Sequence, residues 1–161
     1  MTSTALRRLE HRVAIEELHG RYAELCDQGF PPDRIADLFV ADGVWESAPN
    51  GVIRRGRDEI AEHFRVAGAA YPWALHVNVP VRITLAEGER HATGVWYLLM
   101  PCVDETAGTA RAGWLAGRYD NEFVWRDGCW RYRRIHVDFG LMAHHLGDWS
   151  QDRYSLAAHD G

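Results

Sequence analysis

His76 is the residue whose position in this sequence raises a chemical question. It lies in "YPWALHVNVPVRITL", residues 71–85, a stretch whose apolar and β-branched residues predict a buried strand. An imidazole in an apolar wall must find hydrogen-bond partners, because an unpaired buried polar group lowers stability. If the ring faces a cavity, the ordinary pKa of imidazole, near neutrality, suits it to remove a proton from a substrate. His76 is therefore either a hydrogen-bonded core residue or a general base.

Asp27 is a second candidate, in "YAELCDQG" at the predicted end of a long first helix. A carboxylate at this place meets the unfavourable end of the helix dipole. Leu18, Tyr22 and Leu25 follow the predicted buried face of the helix, and Asp27 falls at the edge of that face. Taken alone, such a residue is typical of a solvated aspartate at a helix end.

The overall composition limits the partners and the compartment that we expect. The 161 residues suit one domain, 47% of them are hydrophobic, and the net charge is −5. This mild acidity argues against nucleic acid as a partner, because phosphate binding needs a basic face. The first residues contain no signal-like apolar core, and no segment approaches the roughly 18 apolar residues of a membrane span. We therefore expect a cytoplasmic protein without a membrane partner.

The types of basic and sulfur-containing residues limit the chemistry further. All 18 basic residues are arginines, so a lysine Schiff base and a P-loop lysine are excluded. The three cysteines, Cys26, Cys102 and Cys129, are far apart and form no CxxC motif. A disulfide scaffold and a zinc ribbon are therefore disfavoured, and we expect no cofactor.

Hydrophobic periodicity predicts that helices come first along the chain. Apolar residues recur at helical spacing from Leu6 to about Gln28, among them Leu9 and Val13, and predict a long amphipathic helix. A second, short helix begins at "PPDRIADLFV", where proline suits the first turn. "DGVWES" predicts a strand, "GVIRRG" a turn and a strand, and "RDEIAEHFRVAGAAY" a third helix.

After Tyr71 the period changes to two and predicts strands at about 74–86, 90–103, 112–126 and 129–140. The stretches "AEGE" and "RDGC" mark two of the turns, and the Asp-Gly pair is a strong hairpin signal. Helices followed by long strands indicate an α+β fold: a cone-shaped, curved antiparallel sheet (an α+β barrel) over N-terminal helices, in residues 1–140. Such a cone encloses a cavity.

The order of these segments resembles the SnoaL-like branch of the nuclear transport factor 2-like superfamily. The stretches that carry the resemblance are "RVAIEELHGRYAELCDQG", "LFVADGVWES", "GRDEIAEHF", "ALHVNVPVRI" and "GRYDNEFVWRDGCWRYRRI". In scytalone dehydratase, bile-acid dehydratase and hexachlorocyclohexane dehydrochlorinase of this superfamily, an aspartate ends the first helix and a histidine lies in the strand after the third helix. Asp27 and His76 match those positions, and Tyr22 matches the catalytic tyrosine of the bile-acid enzyme.

The resemblance implies a cofactor-independent lyase, a dehydratase or a dehydrohalogenase, with a histidine–aspartate pair as its general base. A carboxylate bonded to one imidazole nitrogen fixes the tautomer and stabilises the imidazolium, so Asp27 would orient His76. No GxSxG motif gives a serine the context of a nucleophile, which favours elimination or isomerisation without a covalent intermediate. An isomerase, a polyketide-type cyclase and a non-catalytic binding domain remain alternatives.

The residues that line the predicted cavity follow from strand alternation. Seven tryptophans and six tyrosines suggest a small hydrophobic, ring-bearing ligand. Where scytalone dehydratase has a second pocket histidine, "TGVWYLLMPCV" has none, so Tyr22 and Tyr119 are the candidates for a general acid. An aromatic core would use many of the same positions. The substrate-binding candidates are Asn78, Trp96, Met100, Tyr119, Asn121 and Phe123.

The C-terminal residues 141–161 are predicted to form a tail that caps the mouth of the cone. Its apolar residues are Leu141, Met142, Leu146 and Trp149. His136, Asp138 and the His144–His145 pair could in principle hold a metal, but their spacing matches no known ligand motif. We therefore predict no metal site.

Alternation also places Val77, Val79 and Val81, with Trp114 a further candidate, on the outer face of the sheet. An exposed stripe of this kind is larger than monomers usually tolerate, so we expect a homo-oligomer. The resemblance favours a trimer over a dimer.

Arg126 precedes the predicted Asp127-Gly128 hairpin turn. The resemblance to the dehydrochlorinase matches it to an arginine near that active site, where it would receive a leaving anion. Strand alternation places it on the face opposite Tyr119 and Phe123, so we predict that Arg126 lies outside the cavity.

Overall fold

Three helices and a seven-stranded sheet make up the fold, described here from a computed structural model that covers residues 3–147, 150–151 and 154. Among these residues, no helix is both long and apolar enough to cross a membrane. In chain order the elements are α1 (Ser3–Asp27), α2 (Pro32–Ala36), β1 (Phe39–Ala48), β2 (Val52–Arg55), α3 (Gly56–Ala70), β3 (Trp73–Ala74), β4 (Val77–Leu85), β5 (His91–Asp104), β6 (Arg111–Arg126) and β7 (Cys129–His144).

The sheet confirms the predicted α+β class and adds one parallel pairing. The strand order is β2-β1-β7-β6-β5-β3, with β4 also paired to β5. β1 runs parallel to β7, whereas the other pairings are antiparallel, so the sheet is mixed. A parallel pair needs a long connection, and β1 and β7 are far apart in the chain. Hairpin signals cannot reveal such a pairing.

The predicted turn between β6 and β7 is a two-residue hairpin. Arg126 pairs with Cys129, and both Asp127 and Gly128 have positive φ angles, 50° and 78°. Positive φ at both central residues is the type I′ geometry, whose twist matches that of the flanking strands. The Asp-Gly signal is thereby confirmed.

The buried residues of helix α1 lie in its second half, while in its first half the half-buried His11 contacts Trp125 and Trp130 of the sheet. The buried residues begin at Ile15, whereas Leu9 and Val13 are 49% and 45% exposed. The predicted face was therefore wrong in the first half of the helix. The buried line is Ile15, His19, Tyr22 and Cys26, spaced four, three and four residues apart. Because one of its four members is a histidine, a search for apolar residues at helical spacing does not find this buried line.

The last strand is longer than expected, since β7 continues through His144. Leu141 and Met142 are buried within this strand and so belong to the sheet, while Leu146 is 96% exposed. Trp149, the other predicted capping residue, lies outside the described residues. A capping role of the chain after β7 stays a prediction.

A bulge between β6 and β7 bends the sheet around its cavity. The register shifts between Ala116 and Gly117, and the strands approach there so closely that a Cβ on Gly117 would lie 2.5 Å from the carbonyl oxygen of Asp138. Bulges bend strands and increase their twist. The curvature of the sheet therefore depends on a residue without a side chain.

We expect Gly117→Ala to lower the free energy of unfolding by about 1–3 kcal/mol, because the new methyl group must displace backbone rather than a flexible side chain. The matched control is Gly140→Ala in β7, where nothing lies within 4 Å of the added atom. Urea unfolding of both variants measures the difference. Equal stability of the two variants would contradict the proposed close approach.

Candidate active site

The chain brings Asp27 and His76 together through a break in the sheet. The predicted strand around His76 is interrupted, because Leu75 and His76 lie between β3 and β4. The Leu75 N–H donates to the carbonyl of Pro101 in β5 at 3.1 Å, but proline has no N–H to donate in return. Successive N–H groups of an extended chain point to opposite sides, so the His76 N–H points away from β5, at the edge of the sheet, and is free to bind another acceptor.

That acceptor is the last residue of helix α1. Asp27 Oδ1 accepts the backbone N–H of His76 at 2.8 Å and lies 2.7 Å from His76 Nδ1. The imidazole is nearly enclosed, with 5% of the side chain exposed, and the Asp27 side chain is 27% exposed. One carboxylate oxygen therefore holds both the backbone and the ring of His76.

This contact determines which imidazole nitrogen carries the proton. An ionised carboxylate only accepts hydrogen bonds, so Nδ1 must be the donor. In the neutral ring Nε2 is then unprotonated, with its lone pair available. No hydrogen bond joins His76 Nε2 to any residue in the described part of the chain. Asp27 therefore fixes the orientation of this base through two contacts, one with the backbone N–H and one with the ring N–H of His76.

A cavity of about 110 Å³ lies next to His76, between α1, α3 and the inner face of the sheet. An engineered apolar cavity of about 150 Å³ binds benzene, so the space is of the order of one small ring. Most of its wall is apolar. The lining residues are Tyr22, Phe30, Trp45, Ser47, Asn50, His63, Phe64, Ala67, Tyr71, His76, Leu98, Met100, Leu115, Tyr119, Phe139 and Met142.

Phe30 holds the outer side of His76 in place. Its ring packs edge-on against the imidazole, with centroids 5.8 Å apart, and stacks on Phe64 of α3. The backbone of Phe30 has φ 55°, in the left-handed region that bulky residues rarely adopt. Strain of this kind persists where surrounding contacts enforce it, often at functional sites.

Two predicted tyrosines line the cavity and are held in their neutral form. Tyr22 accepts a hydrogen bond from Trp45 Nε1 at 3.2 Å and is 2% exposed. Burial raises the pKa of Tyr22 well above its ordinary value, with the neighbouring Cys26 and Tyr119 adding to the effect. Burial likewise raises the pKa of Tyr119. Both hydroxyls therefore stay protonated at neutral pH and can donate hydrogen bonds.

Of the six residues predicted to bind substrate, Met100 and Tyr119 line the cavity and the other four do not. Alternation predicts which face of a strand a residue occupies but not how far along the strand the cavity extends. The cavity occupies only one end of the inner face. Phe123 and Asn121 are fully buried in the core at the other end, and Trp96 packs between His19 and Gly94. The amide of Asn78 is buried without a hydrogen-bond partner among the described residues.

His63, on α3, lines the cavity and was not predicted from the sequence. Its ring packs on Trp45, with centroids 4.0 Å apart and an interplanar angle of 34°. Burial lowers the pKa of His63 to about 4, with a smaller contribution from the charge of Arg54. The signal for His63 in "EIAEHFRVA" was that it directly precedes Phe64, which is buried on the apolar face of an amphipathic helix.

His19 is buried at 1% exposure in the core and was also not predicted. Its Nδ1 lies 2.8 Å from the hydroxyl of Tyr132, and its ring stacks on Trp96 at 4.2 Å. Burial lowers the pKa of His19 to about 3, and proximity to His76 contributes to the shift. This histidine is therefore neutral at neutral pH and forms part of the support beneath the cavity.

Arg126 and the histidines of the C-terminal region lie apart from the cavity. Arg126 is exposed beside the β6–β7 hairpin and is not among the cavity-lining residues, as alternation predicts. His136 Nδ1 lies 2.9 Å from Glu46 Oε1, so its partner is a carboxylate in β1. Among the residues the structure describes, no three His, Cys, Asp or Glu side chains are grouped so that they could hold a metal ion.

The fold and this cavity define the class of protein. The chain belongs to the SnoaL-like domain family, which matches residues 7–136. No curated protein sequence matches the chain.

Solved structures show the same fold over nearly the whole chain. A candidate scytalone dehydratase from Novosphingobium aromaticivorans is 25% identical, with a TM-score of 0.75 over 91% of this chain and 93% of its own. An NTF2-like protein with a cystatin-like fold from the same organism is 25% identical, with a TM-score of 0.65 over 86% of this chain and 87% of its own.

A third similar structure is hexachlorocyclohexane dehydrochlorinase LinA-type3 from Novosphingobium barchaimii. It is 19% identical, with a TM-score of 0.77 over 89% of this chain and 95% of its own. At this identity the likeness concerns the fold. The match to the family model, with the 25%-identical NTF2-like structure, confirms the predicted superfamily. The reaction has to be argued from the site itself.

The buried histidines predict how stability depends on pH. A histidine whose pKa is lower in the folded chain than the ordinary 6.5 takes up a proton on unfolding, so acid favours the unfolded state. Stability should therefore fall as pH decreases from 6.5 to about 4, with His19 contributing a slope of about 1.4 kcal/mol per pH unit. His19→Gln should lose that part of the slope, whereas His91→Gln, an exposed control, should keep it. Urea unfolding across the pH range measures both, and an unchanged slope in His19→Gln would refute the assignment.

Proposed function

We propose that this protein is a cofactor-independent lyase, a dehydratase or dehydrohalogenase, that acts on a small hydrophobic and cyclic substrate. The observation that carries the proposal is the Asp27–His76 pair, joined by two hydrogen bonds, at the wall of a mostly apolar cavity. The proposal is supported further by His76 Nε2, which no residue of the described ranges hydrogen-bonds and which a molecule in the cavity can therefore reach. The similarity to a candidate scytalone dehydratase supports the same class.

In the proposed reaction His76 Nε2 removes a proton from a carbon of the substrate. The imidazolium that forms is stabilised by Asp27, which accepts the Nδ1–H bond throughout and keeps the ring aimed at the cavity. The electron pair of the broken C–H bond forms a double bond as a hydroxide or halide leaves from the neighbouring carbon. The apolar wall excludes water and strengthens each of these electrostatic interactions.

A departing hydroxide needs a proton, whereas a departing halide does not. Tyr22 and Tyr119 are the hydroxyl donors in the cavity, and the raised pKa of each makes it a reluctant acid. This observation favours a second candidate function, an isomerase or polyketide-type cyclase. There His76 returns the proton, or the carbanion attacks within the molecule, and no acid is required.

We expect His76→Gln to abolish turnover of small cyclic alcohols, halides and ketones in a substrate panel followed by mass spectrometry, because the amide cannot accept a proton. Asp27→Asn should retain the fold and lose most of the rate, since it no longer stabilises the imidazolium. Arg126→Ala is the matched control, outside the cavity, and should stay within a few-fold of the unmodified protein.

The masses of the products separate the two candidate functions, because elimination loses water or acid and isomerisation conserves mass. Circular dichroism establishes that the variants are folded. Unimpaired turnover by a folded His76→Gln variant would refute the base assignment. Binding without turnover by the unmodified protein across the whole panel would favour the non-catalytic alternative.

We also propose that the protein forms a homo-oligomer, with a trimer favoured over a dimer, through the outer face of β3, β4 and β5. This apolar stripe consists of side chains that are 43–55% exposed in the single chain: Trp73, Leu75, Val77, Val79, Val81, Tyr97 and Leu99. Monomers rarely expose a contiguous apolar surface of this extent. A second copy of the same stripe is a chemically suitable cover.

Light scattering should give a multiple of the 18.3 kDa chain mass. Val79→Arg should reduce that mass to one chain, because a buried guanidinium without a partner is costly at an interface. Ile53→Arg is the control, since Ile53 is 45% exposed in β2, outside the stripe. A monomer in the unmodified protein, or equal masses for the two variants, would contradict the proposed interface.

A further inference from the structure

His63 presents a polar group to the cavity that nothing in the fold uses. It lines the same cavity as His76, from α3 rather than from the sheet. No residue of the described ranges hydrogen-bonds its ring, and its nitrogens are not among the buried, unpaired side-chain atoms. The ring nitrogens therefore keep access to open space. Because His63 is half-buried and lines the cavity, water or a ligand there can reach its nitrogens.

The surroundings of His63 hold its ring in a defined place. The ring packs on Trp45 at 4.0 Å and lies edge-on to Phe64 at 5.1 Å. Trp45 is in turn fixed by the hydrogen bond from its Nε1 to Tyr22. An aromatic stack restrains the imidazole without consuming either nitrogen. Such a pre-organised donor is what stabilises charge that develops during a reaction.

His63 is also neutral under the conditions in which His76 would act as a base. Burial lowers the pKa of His63 to about 4, and the positive charge of Arg54 contributes. A neutral imidazole carries one N–H donor and one acceptor. It can polarise a carbonyl oxygen through a hydrogen bond without giving up its proton.

We propose that His63 donates a hydrogen bond to a carbonyl oxygen of the substrate, and that the substrate is a small cyclic ketone whose proton beside the carbonyl is removed by His76. The proposal rests on the proposed function, because it needs His76 as the base. A carbonyl acidifies the neighbouring C–H bond, and an uncharged ketone enters an apolar cavity at low desolvation cost.

The electron balance of the step is simple. His76 Nε2 takes the proton, the C–H pair becomes a carbon–carbon double bond, and the carbonyl π pair moves onto the oxygen that faces His63. The enolate then re-forms the carbonyl. It either expels a hydroxide or halide from the β carbon with its electron pair or, where a second double bond is conjugated with the enolate, takes the proton back from His76 at the γ carbon. His63 thus serves elimination and isomerisation alike.

The binding part of the proposal can be tested by NMR with two probes of the same shape. Cyclohexanone has the carbonyl oxygen, and methylenecyclohexane replaces it with a carbon. In ¹⁵N-labelled protein the His63 ring signals are assigned by their loss in His63→Gln. Cyclohexanone should shift these signals and methylenecyclohexane should not. An equal response to both probes, or a cyclohexanone response elsewhere in the cavity but not at His63, would overturn the proposal.

The catalytic part can be tested by the exchange of cyclohexanone α-protons for deuterium in D₂O. The unmodified protein should accelerate exchange above the buffer rate. His63→Leu should lower that acceleration by about 10²-fold, the typical effect of losing one oxyanion donor. His63→Gln keeps an amide donor and should recover part of it. His91→Leu, a histidine exposed on β5, is the control.

The outcomes separate this proposal from the function on which it rests. If His63→Leu exchanges like the unmodified protein while His76→Gln does not, the base stands and the role of His63 is refuted. If His76→Gln also exchanges normally, the base assignment itself fails. No acceleration by the unmodified protein would overturn the ketone as substrate class. Circular dichroism of His63→Leu and His63→Gln excludes misfolding as the cause of a loss.

Discussion

The site depends on one carboxylate oxygen, Asp27 Oδ1, which accepts both the backbone N–H and the ring N–H of His76. The backbone bond is available because the His76 N–H points away from β5, at the edge of the sheet. A side chain from the end of α1 therefore binds an edge N–H that the sheet leaves unpaired. This contact joins helix to sheet and, at the same time, fixes the tautomer and the direction of the imidazole.

The rest of the cavity combines apolar walls with polar groups whose protonation is set by burial. Tyr22 and Tyr119 stay protonated because burial raises their pKa values, and His63 stays neutral because burial lowers its pKa. These groups are costly in a core unless they are hydrogen-bonded or serve a ligand. In His19 only Nδ1 is paired, with the hydroxyl of Tyr132, and the ring stacks on Trp96 while Nε2 is buried without a partner among the described residues. His63 lacks a hydrogen-bond partner in the part of the chain that the structure describes.

Much of the fold could be predicted because its signals are local. The change of period from helical spacing to alternation separates helices from strands, and the Asp127-Gly128 pair determines the last hairpin through its positive φ angles. The parallel pairing of β1 with β7 and the true buried face of α1 could not be predicted. Both depend on which distant surface an element meets, and a single histidine at position 19 masked the apolar pattern of α1.

By itself the sequence determined the types of group available for chemistry: no lysine, a histidine in an apolar strand-like segment and an aspartate at a helix end. It also placed His76 on the inner face and Val77, Val79 and Val81 on the outer one, because alternation is a local property of extended chains. Only the tertiary structure decided that Asp27 reaches His76 and that His63 faces the same cavity. The physical reason is that distances between residues far apart in the chain, and the depth of a residue along a strand, are set by how helices and sheet pack.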